Sequence, residues 1–175
     1  MTDSFHPGLS NPESWEEAAV QAPVAIAALD FLTTVVQEQD LAVAWDAMDP
    51  QLKQSWAAAW VEANSPALAE YGRDLEEVRA ALAKGDFEHD LWPHFSRGTL
   101  CEVASLVPSN PDWWGIGATA RVSGMEVELL YLHDTGGRSD VIWQPGEVKP
   151  VVPILMRYSN ESWKVLNLGS ESFPD

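Results

Sequence analysis

The chain has 175 residues, enough for one domain with its own core, and its composition excludes several classes of protein. Hydrophobic residues make up 46% and charged residues 21% of it, which is typical of a globular domain and not of a disordered chain. Lys and Arg number 10 against 27 Asp and Glu, a net charge of −17. Because such a surface repels phosphate groups, we expect no nucleic acid and no anionic membrane as partner. A basic partner protein is permitted, although the acidity can also serve solubility alone.

The single cysteine and the N-terminus indicate the compartment. Cys101 has no second cysteine with which to form an internal disulfide, and a lone cysteine in an apolar run is usually a small buried hydrophobe. Residues 1–12 carry no basic, apolar leader of a secretory signal. No apolar run approaches the roughly 20 residues of a membrane helix. These features predict a cytoplasmic protein. The sequence has no phosphate-binding loop, no Gly-x-Ser-x-Gly elbow and no Cys-x-x-Cys pair, so no cofactor is predicted.

The first half of the chain is predicted to be helical. Residues 1–22 are predicted to form an N-terminal arm, which is either partly disordered or contains a short helix at 12–19. Residues 23–175 are predicted to form a single domain. Helical spacing of apolar residues predicts a first helix from Pro23 to about Gln37. Capping residues and prolines then predict three further helices. The first covers 41–48 and is capped by Asp40, and the second begins at Pro50 and ends at 64–66. The third covers 75–83, with Asp74 as its cap and Gly85 just past its end.

After Gly85 the apolar period changes from about 3.6 to 2, which is typical of strands. Residues 99–107 are predicted to be a strand because they are rich in β-formers. A hairpin is expected to join 114–122 to 125–133 across Ser123-Gly124, and a second to join 151–158 to 162–168. Residues 141–143 add a possible short strand. Helices followed by hairpins predict an α+β domain, with N-terminal helices packed on an antiparallel sheet.

Two stretches resemble the nuclear transport factor 2-like superfamily, whose members include polyketide cyclase-like and ketosteroid isomerase-like proteins. DLAVAWDAMDPQL (40–52) resembles its second helix, and VVPILMRYSNESWKVLNL (151–168) its final hairpin. The resemblance covers about 23–168, with 65–85 as an added helix. It implies a curved sheet wrapped round a helix, a cone-like α+β roll with a pocket at its wide end, and a homodimer through the sheet. It implies no activity, because members of one scaffold catalyse or merely bind.

His133 and Tyr131 are the candidate catalytic residues. They share a strand face with Val127 and Leu129, so both enter the pocket if that face lines the cone. A histidine can then act as general acid or base, and a tyrosine can donate to a developing oxyanion. The alternative places His133 at a strand end in solvent or in the core. Glu128 falls on the opposite face, so no inward acid–tyrosine pair is predicted.

Trp113 and Trp114, next to Pro111, are the candidate contact residues, with Leu129 in the ligand pocket; core packing is expected for at least one of the two tryptophans. His89 and His94 flank a proline at a spacing that fits neither a helix face nor a strand face, so no metal site is predicted. Two functions remain open. The favoured one is non-catalytic binding of a small apolar ligand or a protein partner. The other is a lyase or isomerase acting on a small hydrophobic carbonyl compound.

Overall fold

A computed structural model describes residues 23–117, 120–122, 126–138 and 150–174. In these residues helices pack on one antiparallel sheet, so the predicted α+β class is confirmed. The predicted arm at 1–22, the reversal at Ser123-Gly124 and the short strand at 141–143 lie outside the described residues.

The helical layer comes first in the chain, as expected. We number its helices α1 (Pro23–Leu32, continued as a π-helix over Thr33–Gln37), α2 (Leu41–Ala44, followed by a 3₁₀ turn over Trp45–Ala47), α3 (Pro50–Glu70), α4 (Leu75–Lys84) and α5 (Trp92–Leu106). A second 3₁₀ turn, Pro111–Trp113, leads into the sheet.

Local chemistry sets the helix ends at the predicted residues. The carboxylates of Asp40, Asp49 and Asp74 each accept a hydrogen bond from a backbone N–H in the first turn of α2, α3 and α4, which satisfies donors that the helix itself leaves unpaired. Gly85 ends α4 in the left-handed conformation, at φ 78°. A Cβ there would collide with the indole ring of Trp45, so only glycine fits.

The sheet consists of β1 (Trp114–Ile116), β2 (Ala120–Val122), β3 (Val127–Asp134), β4 (Val151–Ser159) and β5 (Ser162–Leu168). The order is β1-β3-β4-β5, and β2 also pairs with β3, so two short strands replace the single predicted strand 114–122. All these pairings are antiparallel. The hairpin of β4 and β5 is confirmed.

The two faces of the sheet differ. The face that packs on the helices carries Leu130 and Leu132 of β3 and Ile154 and Met156 of β4, in one core with Phe31, Leu32, Leu52 and Phe95. A smaller cluster, formed by Val127, Leu129, Leu155 and Leu166, lies on the other face, which we call the outer face. Trp92 is buried in the main core, and Trp56, Trp60 and Trp163 pack against it half-buried.

The strand predicted at 99–107 is wrong, because this stretch belongs to helix α5. Trp92, Phe95, Thr99 and Val103 form its buried face at helical spacing, and Pro93 lies in its first turn, where proline is tolerated. The prediction for Cys101 is wrong for the same reason. On the helix its side chain leaves the core face and is exposed.

The helix end predicted at 64–66 is also wrong. Helix α3 runs through Pro66 to Glu70. Proline lacks an N–H and usually interrupts a helix. Here the side-chain amide of Asn64 donates to the carbonyl of Trp60 at 2.8 Å, and Leu68 beyond the proline is buried. In the described part of the chain, no helix has both the length and the apolar character to cross a membrane.

Candidate functional site

His133 and Tyr131 lie two residues apart on β3, on the outer face of the sheet. His133 is 6% exposed and lies opposite Gly115 of β1 and Val151 of β4. A Cβ on Gly115 would approach the His133 Nε2 atom to 2.9 Å. The imidazole therefore packs across β1 where glycine leaves room. The low exposure of His133 agrees better with a packed side chain than with one that lies in solvent. The catalytic role of His133 stays a prediction.

Tyr131 is held by the C-terminal segment that follows β5. Its hydroxyl donates to Oε1 of Glu171 at 3.1 Å. Burial, together with this hydrogen bond and the negative charge of Glu171, raises the pKa of Tyr131 above 10.0. A substrate oxyanion could receive this hydroxyl only after Glu171 is displaced. Glu128 is buried on the helix-facing side, across from Met156, so it lies on the opposite face of β3 from Tyr131, and the carboxylate that Tyr131 contacts is that of Glu171, which the sequence did not indicate.

The three predicted contact residues lie in different surroundings. Trp113 is 40% exposed and lies over the turn after β3, where a Cβ on Gly137 would come within 2.9 Å of its Nε1. Trp114 is half-buried against the core, and its Nε1 donates to the Pro108 carbonyl at 2.8 Å. Leu129 packs in the outer-face cluster. Trp113 therefore remains the one of these three with an exposed ring.

The His89 to His94 stretch forms the turn into α5. Nδ1 of His89 accepts from the backbone N–H of Leu91 at 3.2 Å, Asp90 pairs with Arg73, and His94 is exposed in the first helical turn. In the part of the chain that the structure describes, no three His, Cys, Asp or Glu side chains are grouped to hold a metal ion.

A groove between α3 and α4, which the sequence did not indicate, is a concave site formed entirely by described residues. It has a volume of about 670 Å³. Helix α3 contributes its first three turns and α4 the side that faces them. The lining residues are Pro50, Lys53, Gln54 and Ala58 from α3 and Glu76, Arg79, Ala80, Ala83 and Lys84 from α4. We call it the α3–α4 groove.

The α3–α4 groove is basic, although the chain as a whole is acidic. Three of the chain's 10 basic residues line it, Lys53, Arg79 and Lys84, against one carboxylate, Glu76. The first turn of α3, which carries the positive end of a 21-residue helix, also borders it. Alanine and proline side chains supply the apolar surface between these charges. The groove therefore combines an apolar floor with positive charge.

Lys53 and Arg79 are the two half-buried cations of the groove. Burial lowers the pKa of Lys53 below 10.5, and the nearby Lys164 lowers it further, while Asp46 and Asp49 oppose the shift. The ammonium lies 5.4 Å from the centroid of the Trp45 ring. Arg79 donates through Nη1 to Glu76 at 2.9 Å, but its buried Nε has no hydrogen-bond acceptor in the described residues. An anion entering the groove beside the Lys53 ammonium would favour its charged form.

Sequence reasoning missed this groove because its residues come from two helices 20 to 30 positions apart. Each of these basic residues, taken alone, indicates only a solvent-exposed position on a helix. The signal that existed was the concentration of cations, since four of the chain's 10 basic residues fall between positions 50 and 84, namely Lys53, Arg73, Arg79 and Lys84. Comparison of the chain with models of known protein families, with curated proteins and with solved structures finds no match.

Proposed function

We propose that this chain is a non-catalytic binding domain whose α3–α4 groove takes an acidic, amphipathic segment of a protein partner. The observation that carries the proposal is the grouping of Lys53, Arg79 and Lys84 around an alanine floor in a chain of net charge −17. These three cations can attract carboxylates to the groove although the chain as a whole repels them, so binding there depends on position as well as on sign.

The shape of the groove favours a polypeptide. The stretch of α3 that lines it, from Pro50 to Ala58, corresponds to about 12 Å along the helix axis at a rise of 1.5 Å per residue. Two turns of a guest helix have about this length. Small apolar side chains such as Ala80 and Ala83 allow close approach, and flanking cations can pair with acidic residues of the guest.

The resemblance to the nuclear transport factor 2-like superfamily adds further expectations to the proposal. A small apolar ligand in a cone, a homodimer through the sheet, a cytoplasmic location and a basic protein bound to the acidic surface all stay predictions. The α3–α4 groove is made of helices alone and is therefore distinct from a pocket between helix and sheet.

A direct test uses a labelled synthetic peptide that alternates pairs of Glu and Leu, titrated into the full chain by fluorescence anisotropy. We expect binding that weakens as salt rises, because partly exposed ion pairs are screened. The double variant Lys53→Gln/Lys84→Gln should raise the Kd by about threefold to tenfold, which is what two exposed ion pairs contribute.

Arg97→Gln is the matched control, since it removes a cation that is exposed on α5 and does not line the groove. It should bind the peptide like the wild type, and thermal melting should confirm that both variants fold. Absence of binding by the wild type at low salt, or equal loss of affinity in the Arg97→Gln control, would overturn the proposed function.

A further inference from the structure

One of the three cations in the α3–α4 groove already holds a carboxylate of the same chain. Nη1 of Arg79 donates to Oε1 of Glu76 at 2.9 Å, and both residues line the groove. Glu76 is the single acidic residue in that lining. The described residues place no carboxylate within salt-bridge distance of Lys53 or Lys84. An incoming acidic segment therefore meets two lysines and an arginine that Glu76 already contacts.

The two partners of this ion pair differ in how firmly the protein holds them. The Arg79 side chain is 40% exposed and the Glu76 side chain is 77% exposed. The guanidinium is therefore partly enclosed, whereas the carboxylate lies largely in water. A carboxylate that leaves such an exposed pair loses little free energy, because water solvates it at once. Arg79 can thus exchange its acidic partner while its own side chain stays in the groove.

We propose that Glu76 is a built-in competitor for Arg79, and that a carboxylate of the bound segment replaces it on the guanidinium. The segment then contacts Lys53, Arg79 and Lys84 together, and the Glu76 side chain turns outward into solvent. This inference rests on the proposed function, because it assigns the regulation of the same site. It also specifies the partner more closely, since it requires an Asp or Glu at the position that faces Arg79.

Competition by Glu76 makes the groove selective for carboxylates. The contact of Glu76 with Arg79 has one hydrogen bond. A carboxylate that approaches in the plane of a guanidinium forms two parallel hydrogen bonds and a stronger pair. A neutral amide side chain gains less from the same guanidinium and does not compensate for the loss of Glu76. The exchange therefore favours Asp or Glu over Asn or Gln at this position of the partner.

Fluorescence anisotropy at low salt, with the labelled peptide of alternating Glu and Leu pairs, measures the competition. Glu76→Gln should bind the peptide about twofold to fourfold more tightly than the wild type, which is what one exposed ion pair contributes. Glu77→Gln is the matched control, because it removes the same charge from the same turn of α4 at an exposed position that does not line the groove. This control should change the affinity much less. Equal tightening by both variants would show that net charge alone explains the gain, and would overturn the inference.

A double-mutant cycle identifies the cation for which Glu76 competes. In a chain that carries Arg79→Gln, Glu76 has no guanidinium to hold, so Glu76→Gln should no longer tighten binding. The double variant Glu76→Gln/Arg79→Gln should therefore have about the same Kd as Arg79→Gln alone. If Glu76→Gln tightens binding by the same factor with and without Arg79, it acts through general repulsion, and the inference is refuted. Thermal melting should confirm that every variant folds.

The outcomes separate this inference from the proposed function. If the wild type and Glu76→Gln bind the peptide with equal affinity, the groove functions but Glu76 does not compete, and only the inference falls. If neither the wild type nor any variant binds the peptide at low salt, the proposed function fails together with the inference. Tightening that is specific to Glu76→Gln and disappears without Arg79 supports both.

Discussion

Asp49 connects the helical layer to the sheet, and its replacement gives the sharpest test of how the fold is held together. The residue is 2% exposed. Its Oδ1 accepts from the backbone N–H of Gln51 at 2.9 Å as the cap of α3, and its two oxygens lie 3.2 and 3.1 Å from Nη1 of Arg157 on β4. Nη2 of the same guanidinium donates to the side chain of Gln51 at 3.1 Å. One carboxylate thus caps a helix and binds a strand cation.

The Asp49→Ala variant loses both contacts. Loss of a helix cap costs about 1 kcal/mol. Removal of one partner of a fully buried ion pair costs about 3–5 kcal/mol, but the Arg157 side chain is 30% exposed, so we expect about 1–3 kcal/mol because water can solvate it in part. The sum is about 2–4 kcal/mol of unfolding free energy, which for a chain of this length lowers the Tm by roughly 4–16 °C.

Urea denaturation of three variants separates the contributions. Asp74→Ala removes an exposed cap of α4 that has no ion pair in the described residues and should cost about 1 kcal/mol. Asp49→Ser keeps a capping oxygen and should lose mainly the Arg157 pair, about 1–3 kcal/mol. If Asp49→Ala costs no more than Asp74→Ala, the pair with Arg157 contributes nothing and the reasoning is refuted.

Three further predictions concern the helical layer. In urea denaturation, Gly85→Ala should destabilise the chain by at least about 1 kcal/mol more than Gly72→Ala. Both glycines have a positive φ, but only Gly85 faces Trp45. Equal costs for the two variants would contradict the close contact between Gly85 and Trp45. Cys101 is exposed, so a thiol reagent should label it fully without denaturant, and protection that urea removes would contradict its position on α5. Because the pKa of Lys53 is lowered in the folded chain, the unfolded chain binds more protons at this residue. The unfolding free energy of the wild type, relative to that of Lys53→Met, should therefore increase as the pH rises from neutral toward 10.5. A difference between the two proteins that does not depend on pH would refute this.

The α+β class and most helix ends could be predicted because their signals are local. Asp40 and Asp74 cap helices through side chains two or three residues from the N–H groups they accept from, and Gly85 ends α4 within one turn. The alternation from Val127 to His133 gave the right face assignment, since Glu128 lies opposite Tyr131 as expected.

The errors arose where two local signals competed. The stretch 99–107 has β-forming residues, but β propensity depends on context, and the spacing of Phe95, Thr99 and Val103 was equally available as a helical pattern. At Pro66 a single breaking residue was given more weight than the helical continuation that Asn64 and the buried Leu68 support.

Contacts between distant segments could not be predicted from one sequence. Asp49 and Arg157 are 108 positions apart, and the α3–α4 groove exists only because a helical hairpin brings Lys53 beside Arg79 and Lys84. Nothing in the local pattern of either segment specifies the other. These contacts follow from the tertiary packing of helices whose apolar faces are predictable but whose pairing is not.

The distribution of contacts over the surface supports the proposal of a partner site on the helical side. The free edge of β5 is covered, because Met48 bridges to Val165 and the N–H of Asp49 donates to the Val165 carbonyl at 2.9 Å. At Val165 the edge is therefore already paired and cannot add a strand from another chain. On the outer face, Glu171 binds Tyr131 and Phe173 lies against Arg157, so a homodimer through the sheet would have to displace the C-terminal segment first. The α3–α4 groove carries no such covering contact from the described residues, so a partner could enter it without displacing any segment that these residues form.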